Sequence, residues 1–169
     1  MDVFEAIRTV LAVRAFKDQP VPDATIRKIV EAAHVSASSM NMQPWHFVVV
    51  QQRDTLKQIG SLARTGPYTA QAAFAVVVAI EEDSKFGISD ASRAVQSMVL
   101  AAWEEGVGSN WVGYFGLDEV GKLLGVPKKM QVLAVIPFGY PTVAVGRGKK
   151  TRKPLAEVAS RERFGQPFE

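Results

Sequence analysis

The 169-residue chain contains no cysteine. That excludes disulfides, thiolate metal sites and cysteine nucleophiles, and it suits a reducing compartment. Histidine is nearly as scarce, with His34 and His46 the only two. Neither sits in a carboxylate cluster with metal-ligand spacing, and no nucleophile–histidine–acid set is arranged around them. Both read as structural or surface groups, and no metal is expected. Long apolar runs are missing too: the longest, Ala72–Ile80, is too short to cross a bilayer. The start of the chain carries Asp2 and Glu5 rather than the apolar core of a secretory signal. Neither G-x-G-x-x-G nor G-x-x-x-x-G-K-S/T occurs, so nothing supports a Rossmann or P-loop reading. The expectation is a cytoplasmic chain that does not insert into membranes.

What is present is globular. Apolar residues make up 47% and charged residues 22%, enough to bury a core within one domain over residues 1–169. The net charge of +3 is local in origin. Arg147, Lys149, Lys150, Arg152 and Lys153 fall within seven residues, and setting those five aside takes the chain from +3 to −2. A single basic patch suits a phosphate-bearing small ligand better than nucleic acid, which needs charge spread along a face. A solvated charge run is the competing reading.

Hydrophobic spacing orders the elements. Val3, Ala6, Ile7, Val10 and Leu11 predict an amphipathic helix over Asp2–Val13. Asp23 is a plausible N-cap for a second helix ending near Val35, with Ile26, Ile29, Val30 and Ala33 on its apolar stripe. His46–Val50 reads as a buried strand. Asp54 then caps a short helix with Leu56, Ile59 and Leu62 inward. Phe74–Ile80 is apolar on both faces, as in a sheet covered on both sides. Ser89–Glu105 is the longest helix and is apolar around most of its circumference. Strands are predicted at Asn110–Phe115 and Met130–Phe138, with a short helix at Leu117–Leu124 between them. The polar end of the chain, Ala156–Glu169, carries Phe164 and Phe168; it is either frayed or laid across a partner subunit.

The most informative stretch is Ser36–Val50, SASSMNMQPWHFVVV. Small polar side chains are packed into its first half, and Gln43-Pro44-Trp45 then turns the chain into the strand. Polar loops on a rigid scaffold commonly hold ligands. Three later segments stand out: Gly106-Val107-Gly108-Ser109-Asn110-Trp111-Val112-Gly113-Tyr114-Phe115, the Gly139-Tyr140-Pro141 turn, and Lys150-Thr151-Arg152-Lys153-Pro154-Leu155.

Together these segments resemble the FMN-dependent nitroreductase family. Its S-P-S-S-x-N-x-Q-P-W-x-F pattern is met at Ser36, Ser38, Ser39, Asn41, Gln43, Pro44, Trp45 and Phe47, with Ala37 in place of the proline. Its G-x-G-S/T-x-W-x-G-G-F pattern is met at Gly106, Gly108, Ser109, Trp111, Gly113 and Phe115, with Tyr114 at the second glycine. Its K-x-R-x-P-L pattern is met at Lys150, Arg152, Pro154 and Leu155. The long helix follows its D-x-x-x-A-x-Q-x-M pattern through Asp90, Ala94, Gln96 and Met98. The opening R-x-S-x-R/K-x-F/Y is met only at Arg14 and Phe16. Val10 and Ala12 replace its first arginine and its serine, and Arg14 by itself also reads as a solvated cation at a helix end.

The resemblance implies an α+β fold with a central, mostly antiparallel sheet flanked by helices. It implies a homodimer with exchanged termini and two flavin sites at the interface. It implies FMN as cofactor, held by Arg14, Ser38, Ser39, Asn41, Gln43, Trp111, Val112, Gly113, Lys150 and Arg152, the last two on phosphate. It also implies hydride transfer from NAD(P)H to nitroaromatic or quinone acceptors, with no protein acid–base residue doing the chemistry. A flavin-binding protein with little reductase activity, and a dimeric binding module without activity, stay open as alternatives. The compact chain leaves little room for a substrate-covering insertion before the long helix.

Overall fold

The computed structural model describes residues 1–143 and 150–168. The elements are α1 (Val3–Thr9), α2 (Asp23–His34), β1 (Trp45–Val50), α3 (Arg53–Leu62), β2 (Phe74–Glu81), α4 (Gly87–Glu104), β3 (Gly108–Ser109), α5 (Leu117–Leu123), β4 (Met130–Gly139) and α6 (Leu155–Val158). Short 3₁₀ turns occupy Ser39–Asn41 and Pro67–Gln71. The four strands form one antiparallel sheet in the order β1-β2-β4-β3. The α+β architecture therefore holds. No helix among the described residues is long and apolar enough to cross a membrane, and none of their side chains cluster as a metal site.

Strand β2 is the centre of the molecule because its sequence is apolar at every position from Phe74 to Ile80. Alternate residues face opposite layers. Phe74, Val76, Val78 and Ile80 pack with Ile29 of α2 and Ala94 and Met98 of α4. Ala75 and Val77 pack with Leu56 and Ile59 of α3 and Val120 of α5. Phe74 stacks on Phe138 of β4 at 4.8 Å between ring centroids. Each such large side chain contributes roughly 1.5–3 kcal/mol by leaving water.

Several sequence expectations shift. Helix α1 is capped by Asp2, whose side chain accepts the Glu5 N–H at 2.7 Å, but it ends at Thr9 rather than Val13. From Val10 the chain is extended. Ala12 bridges Ser109, Val13 donates its N–H to the Ser109 carbonyl at 2.8 Å, and Val13 packs on Gly108, where any Cβ would come within 2.4 Å of it. Pairing with a distant strand overrides the local helical period. Asp23 and Asp54 do not cap: each lies inside the first turn, after Pro22 and Gln52. Asp23 accepts from Gln51, and Asp54 pairs with Lys57. Strand β1 is an edge strand in which only Val50 is buried, with His46 and Val49 exposed, so it is not the buried strand expected. Helix α4 begins two residues early, at Gly87.

The predicted strand Asn110–Phe115 is largely absent. β3 stops at Ser109, although Val112 still exchanges both backbone bonds with Val135, in the register that pairs Ser109 with Phe138. That register sets Asn110 opposite Pro137. Val135 points its N–H at Val112, so two residues on it is the missing N–H of Pro137 that would face Asn110. The ladder breaks there, and positive φ at Tyr114 and Gly116 then turns the chain away. As the sequence suggested, only a short turn separates β2 from α4.

Candidate functional site

Trp111 stands exposed between two adjoining cavities. The larger, about 520 Å³, runs along α1 and α4 and is lined by Ile7, Val10, Leu11, Ala12, Ser92, Val95, Gln96, Val99, Ser109, Asn110, Trp111, Ile136, Lys150 and Arg152. The smaller, about 420 Å³, is lined by Arg14, Thr65, Tyr68, Asn110, Trp111, Gly113, Tyr114 and Leu133. Both sizes lie in the range of small-ligand sites.

Helix α1 shapes one wall of the larger cleft. Thr9 Oγ1 donates to the Glu5 carbonyl at 2.7 Å and accepts the Trp103 indole N–H at 3.0 Å, which ties α1 to α4. Lys150 Nζ donates to the Ile7 carbonyl at 2.5 Å. A cation suits that position, because carbonyls in the last turn of a helix lack partners and carry the negative end of its dipole. Partial burial, and then the neighbouring Arg152, push the Lys150 ammonium below its ordinary value. Arg152 donates to the Thr151 carbonyl. Among the described residues the cleft lining holds these two cations and no carboxylate. Of the basic segment, Arg147 and Lys149 lie outside the described residues.

That donor set fits a phosphorylated aromatic ligand such as FMN. Two cations meet a phosphate, Ser109, Asn110 and Gln96 offer polar contacts, and Trp111 with Val95 and Val99 offers an apolar wall. Val10 and Ala12 line the same cleft and offer no polar group.

The other sequence-derived residues fall into place unevenly. Arg14 and Gly113 line the smaller cavity with Trp111. Val112 is buried, and both its N–H and carbonyl are engaged by Val135. The N–H groups of Trp111 and Gly113 meet no acceptor among the described residues. A Cβ at Gly113 would sit 2.9 Å from Trp111 Nε1, so this glycine makes room for the indole of Trp111.

Ser38, Ser39, Asn41 and Gln43 line neither cavity. They form a self-bonded loop at the start of α4. Ser38 Oγ accepts the Gln43 N–H at 2.9 Å, and Gln43 Nε2 donates to Asn41 O and Oδ1. Ser39 donates its N–H at 2.9 Å and its hydroxyl at 3.0 Å to the buried carboxylate of Asp90. Met40, Asn41 and Gln43 all have positive φ. Burial raises the Asp90 carboxyl, but the Ser39 N–H, the Arg93 guanidinium and the Ser39 hydroxyl outweigh it and hold it below its ordinary value.

Sequence reading passed over Tyr68, whose hydroxyl accepts from Asn110 Nδ2, and Thr65, which donates to the Gly113 carbonyl at 2.9 Å. No local pattern marks them. It also passed over the role of Asp90, which did leave a signal: a carboxylate on the same helical face as Ala91, Ala94 and Met98.

A sequence profile of the nitroreductase family matches residues 8–82 and 64–140. A protein of Methanothermobacter thermautotrophicus, provisionally named NADH dehydrogenase/NAD(P)H nitroreductase, is 35% identical over 149 residues, covering 83% of this chain and 78% of that protein. FMN reductase (NAD(P)H) of Bacillus subtilis is 26% identical over 187 residues, covering 96% and 74%. Among solved structures, a Parabacteroides distasonis protein with the same provisional name as the first superposes with a TM-score of 0.87 at 27% identity, covering 95% of this chain and 98% of that one. With the profile running from residue 8 to residue 140 across the sheet, the long helix and the Trp111 segment, the chain belongs to the nitroreductase family.

Proposed function

We propose that this protein is an FMN-dependent oxidoreductase that draws reducing equivalents from NAD(P)H and delivers them to aromatic acceptors, nitroaromatics or quinones. For a quinone the balanced conversion is NAD(P)H plus a proton plus quinone to NAD(P)⁺ plus hydroquinone. The observation that carries the reading is the cleft with Lys150 and Arg152 at one part of its wall, Trp111 at another and no carboxylate among the described residues that line it. FMN, when bound, supplies the redox-active ring.

The chain's own groups bind and orient. Lys150 and Arg152 hold the phosphate, and they do so without the arginine and serine that Val10 and Ala12 replace. Arg14 and the free N–H groups of Trp111 and Gly113 face the ring from the smaller cavity. Val112, whose backbone is engaged, acts by fixing its two neighbours in place.

Ser38, Ser39, Asn41 and Gln43 reach a flavin only if a second protomer brings them to the cleft of the first. A homodimer with two shared sites meets that need. It also covers apolar surface that the single chain leaves bare: Val3 and Phe4 of α1 are 73% and 74% exposed, and Phe164 in the tail is fully exposed. The test is the absorbance spectrum of the purified protein. Flavin bands, or their appearance on adding FMN, support the reading. A colourless protein that takes up no FMN overturns it.

A further inference from the structure

We propose that Tyr114 is a specificity-determining residue, its ring forming a stacking wall on the smaller cavity that selects planar aromatic acceptors. The inference rests on the oxidoreductase reading above. It starts from backbone strain. Tyr114 has φ of 106°, a conformation that bulky residues with a Cβ rarely adopt and that glycine adopts freely. The family pattern places a glycine at this position, so the tyrosine is a departure made against the backbone's preference.

The fold gains little packing in return. Tyr114 is 86% exposed, and among the described residues its one ring contact is an edge-on approach to Phe115 at 5.1 Å. Phe115 is itself 53% exposed. The Tyr114 hydroxyl has no hydrogen-bond partner among the described residues. Strain with no structural return is characteristic of ligand-contacting positions.

The surroundings say which ligand. Tyr114 lines the cavity together with Arg14, Trp111 and Asn110, and the last two also line the cofactor cleft. An acceptor lodged there is next to the cofactor. Tyr114 and Trp111 offer π faces to a flat ring. Arg14, which faces the flavin ring from this cavity, has no carboxylate partner among the described residues, and the remaining N–H donors of its planar guanidinium suit a carboxylate, nitro or quinone oxygen of the acceptor. The fitting occupant is a planar aromatic bearing such a group. A tyrosine merely tolerated in place of glycine would leave ligand binding untouched.

The experiment titrates 4-nitrobenzoate into the oxidised protein as purified, without NAD(P)H, by calorimetry. It uses the wild type, Tyr114→Gly and Tyr114→Phe. Tyr114→Gly weakens binding by roughly three- to tenfold, the scale of one aromatic contact, while Tyr114→Phe stays within about twofold of wild type. In turnover, the KM for 1,4-benzoquinone rises by the same factor in Tyr114→Gly, and the KM for ferricyanide, which has no π face, does not follow. The melting temperature of Tyr114→Gly stays at or above that of wild type, since glycine relieves the strain, so weaker binding cannot come from misfolding. Equal affinity in wild type and Tyr114→Gly, or no measurable binding to wild type, overturns the proposal. A wild-type protein that takes up no FMN and oxidises no NAD(P)H overturns the oxidoreductase reading, and this inference with it.

Discussion

Asp90 and Ser39 are 51 residues apart in sequence and joined by two hydrogen bonds in space: the Asp90 carboxylate accepts both the N–H and the hydroxyl of Ser39. The carboxylate is fully buried and also meets the Arg93 guanidinium. It anchors a loop in which Met40, Asn41 and Gln43 all hold left-handed backbone conformations. Such conformations persist only where the surroundings over-determine them.

Removing the anchor should release the loop. Asp90→Ala leaves the Ser39 N–H without its acceptor and lowers the melting temperature by a few degrees. FMN affinity falls with it, measured by flavin fluorescence during titration. Asp90→Asn keeps one acceptor oxygen for Ser39 and should fall between wild type and Asp90→Ala. A melting curve for Asp90→Ala that overlays wild type would show that the loop does not depend on this carboxylate.

The same residue sets an acid limb. Its carboxyl lies below the ordinary value of 3.8 in the fold. Its contribution is therefore fully present above the unfolded value and is lost as pH falls through the lower, folded one. Melting temperatures recorded downward from pH 6 should drop more steeply below about pH 4 in wild type than in Asp90→Asn, which cannot titrate. Parallel curves for the two proteins would remove Asp90 from the acid response.

Lys150 and Arg152 should each matter for cofactor affinity. A hydrogen bond to a charged group is worth about 1.5–3 kcal/mol, so Lys150→Ala or Arg152→Ala should each weaken FMN binding by at least about tenfold. The Lys150 ammonium lies below its ordinary value of 10.5, because of burial and then Arg152. A lysine attracts phosphate below its pKa and loses that attraction as pH rises through it. FMN affinity should therefore weaken on the alkaline side sooner in wild type than in Lys150→Arg, which stays charged. Identical alkaline profiles for the two proteins would contradict this.

Gly116 should tolerate no side chain. Its φ is +79°, and a Cβ there would lie 1.9 Å from the Leu62 carbonyl oxygen. Backbone strain and a backbone clash act together, so Gly116→Ala should cost at least about 2 kcal/mol. Urea unfolding measures it as a lower midpoint at an unchanged slope. A midpoint equal to wild type would mean the turn can be rebuilt.

The tail should be needed for assembly. It forms the short helix α6 and a single Ser160–Pro167 bridge, with Leu155, Val158 and Phe164 exposed. In the homodimer proposed above, ending the chain at Pro154 should shift sedimentation from dimer to monomer and weaken FMN binding, because each proposed site then loses the second protomer's Ser38–Gln43 loop. A truncated protein that still sediments as a dimer would place the interface elsewhere.

Much of this was legible along the chain. The apolar run at Phe74–Ile80 could only be a doubly covered strand, because any other placement exposes β-branched and aromatic side chains on one face. The stripe of α2 and the wide apolar surface of α4 named their buried residues, and the motif residues named the family. Errors gathered where distant pairing decided the backbone. Val10–Val13 keeps a helical period yet lies extended, because Ser109 accepts its hydrogen bond and Gly108 receives its side chain. Asn110–Phe115 has strand composition yet breaks, because a proline 27 positions later cannot donate to it.

Residue order alone settled which segments are apolar and at what period, since burial of a helix or strand face depends on neighbours three, four or two positions away. It could not settle which partner each polar group finds. Asp90 with Ser39, Lys150 with Ile7, and Tyr114 lining one cavity with Arg14 are decided by how the layers bring remote backbone together. A hydrogen bond or a cavity wall needs two groups within a few ångströms, and only the folded chain sets that separation.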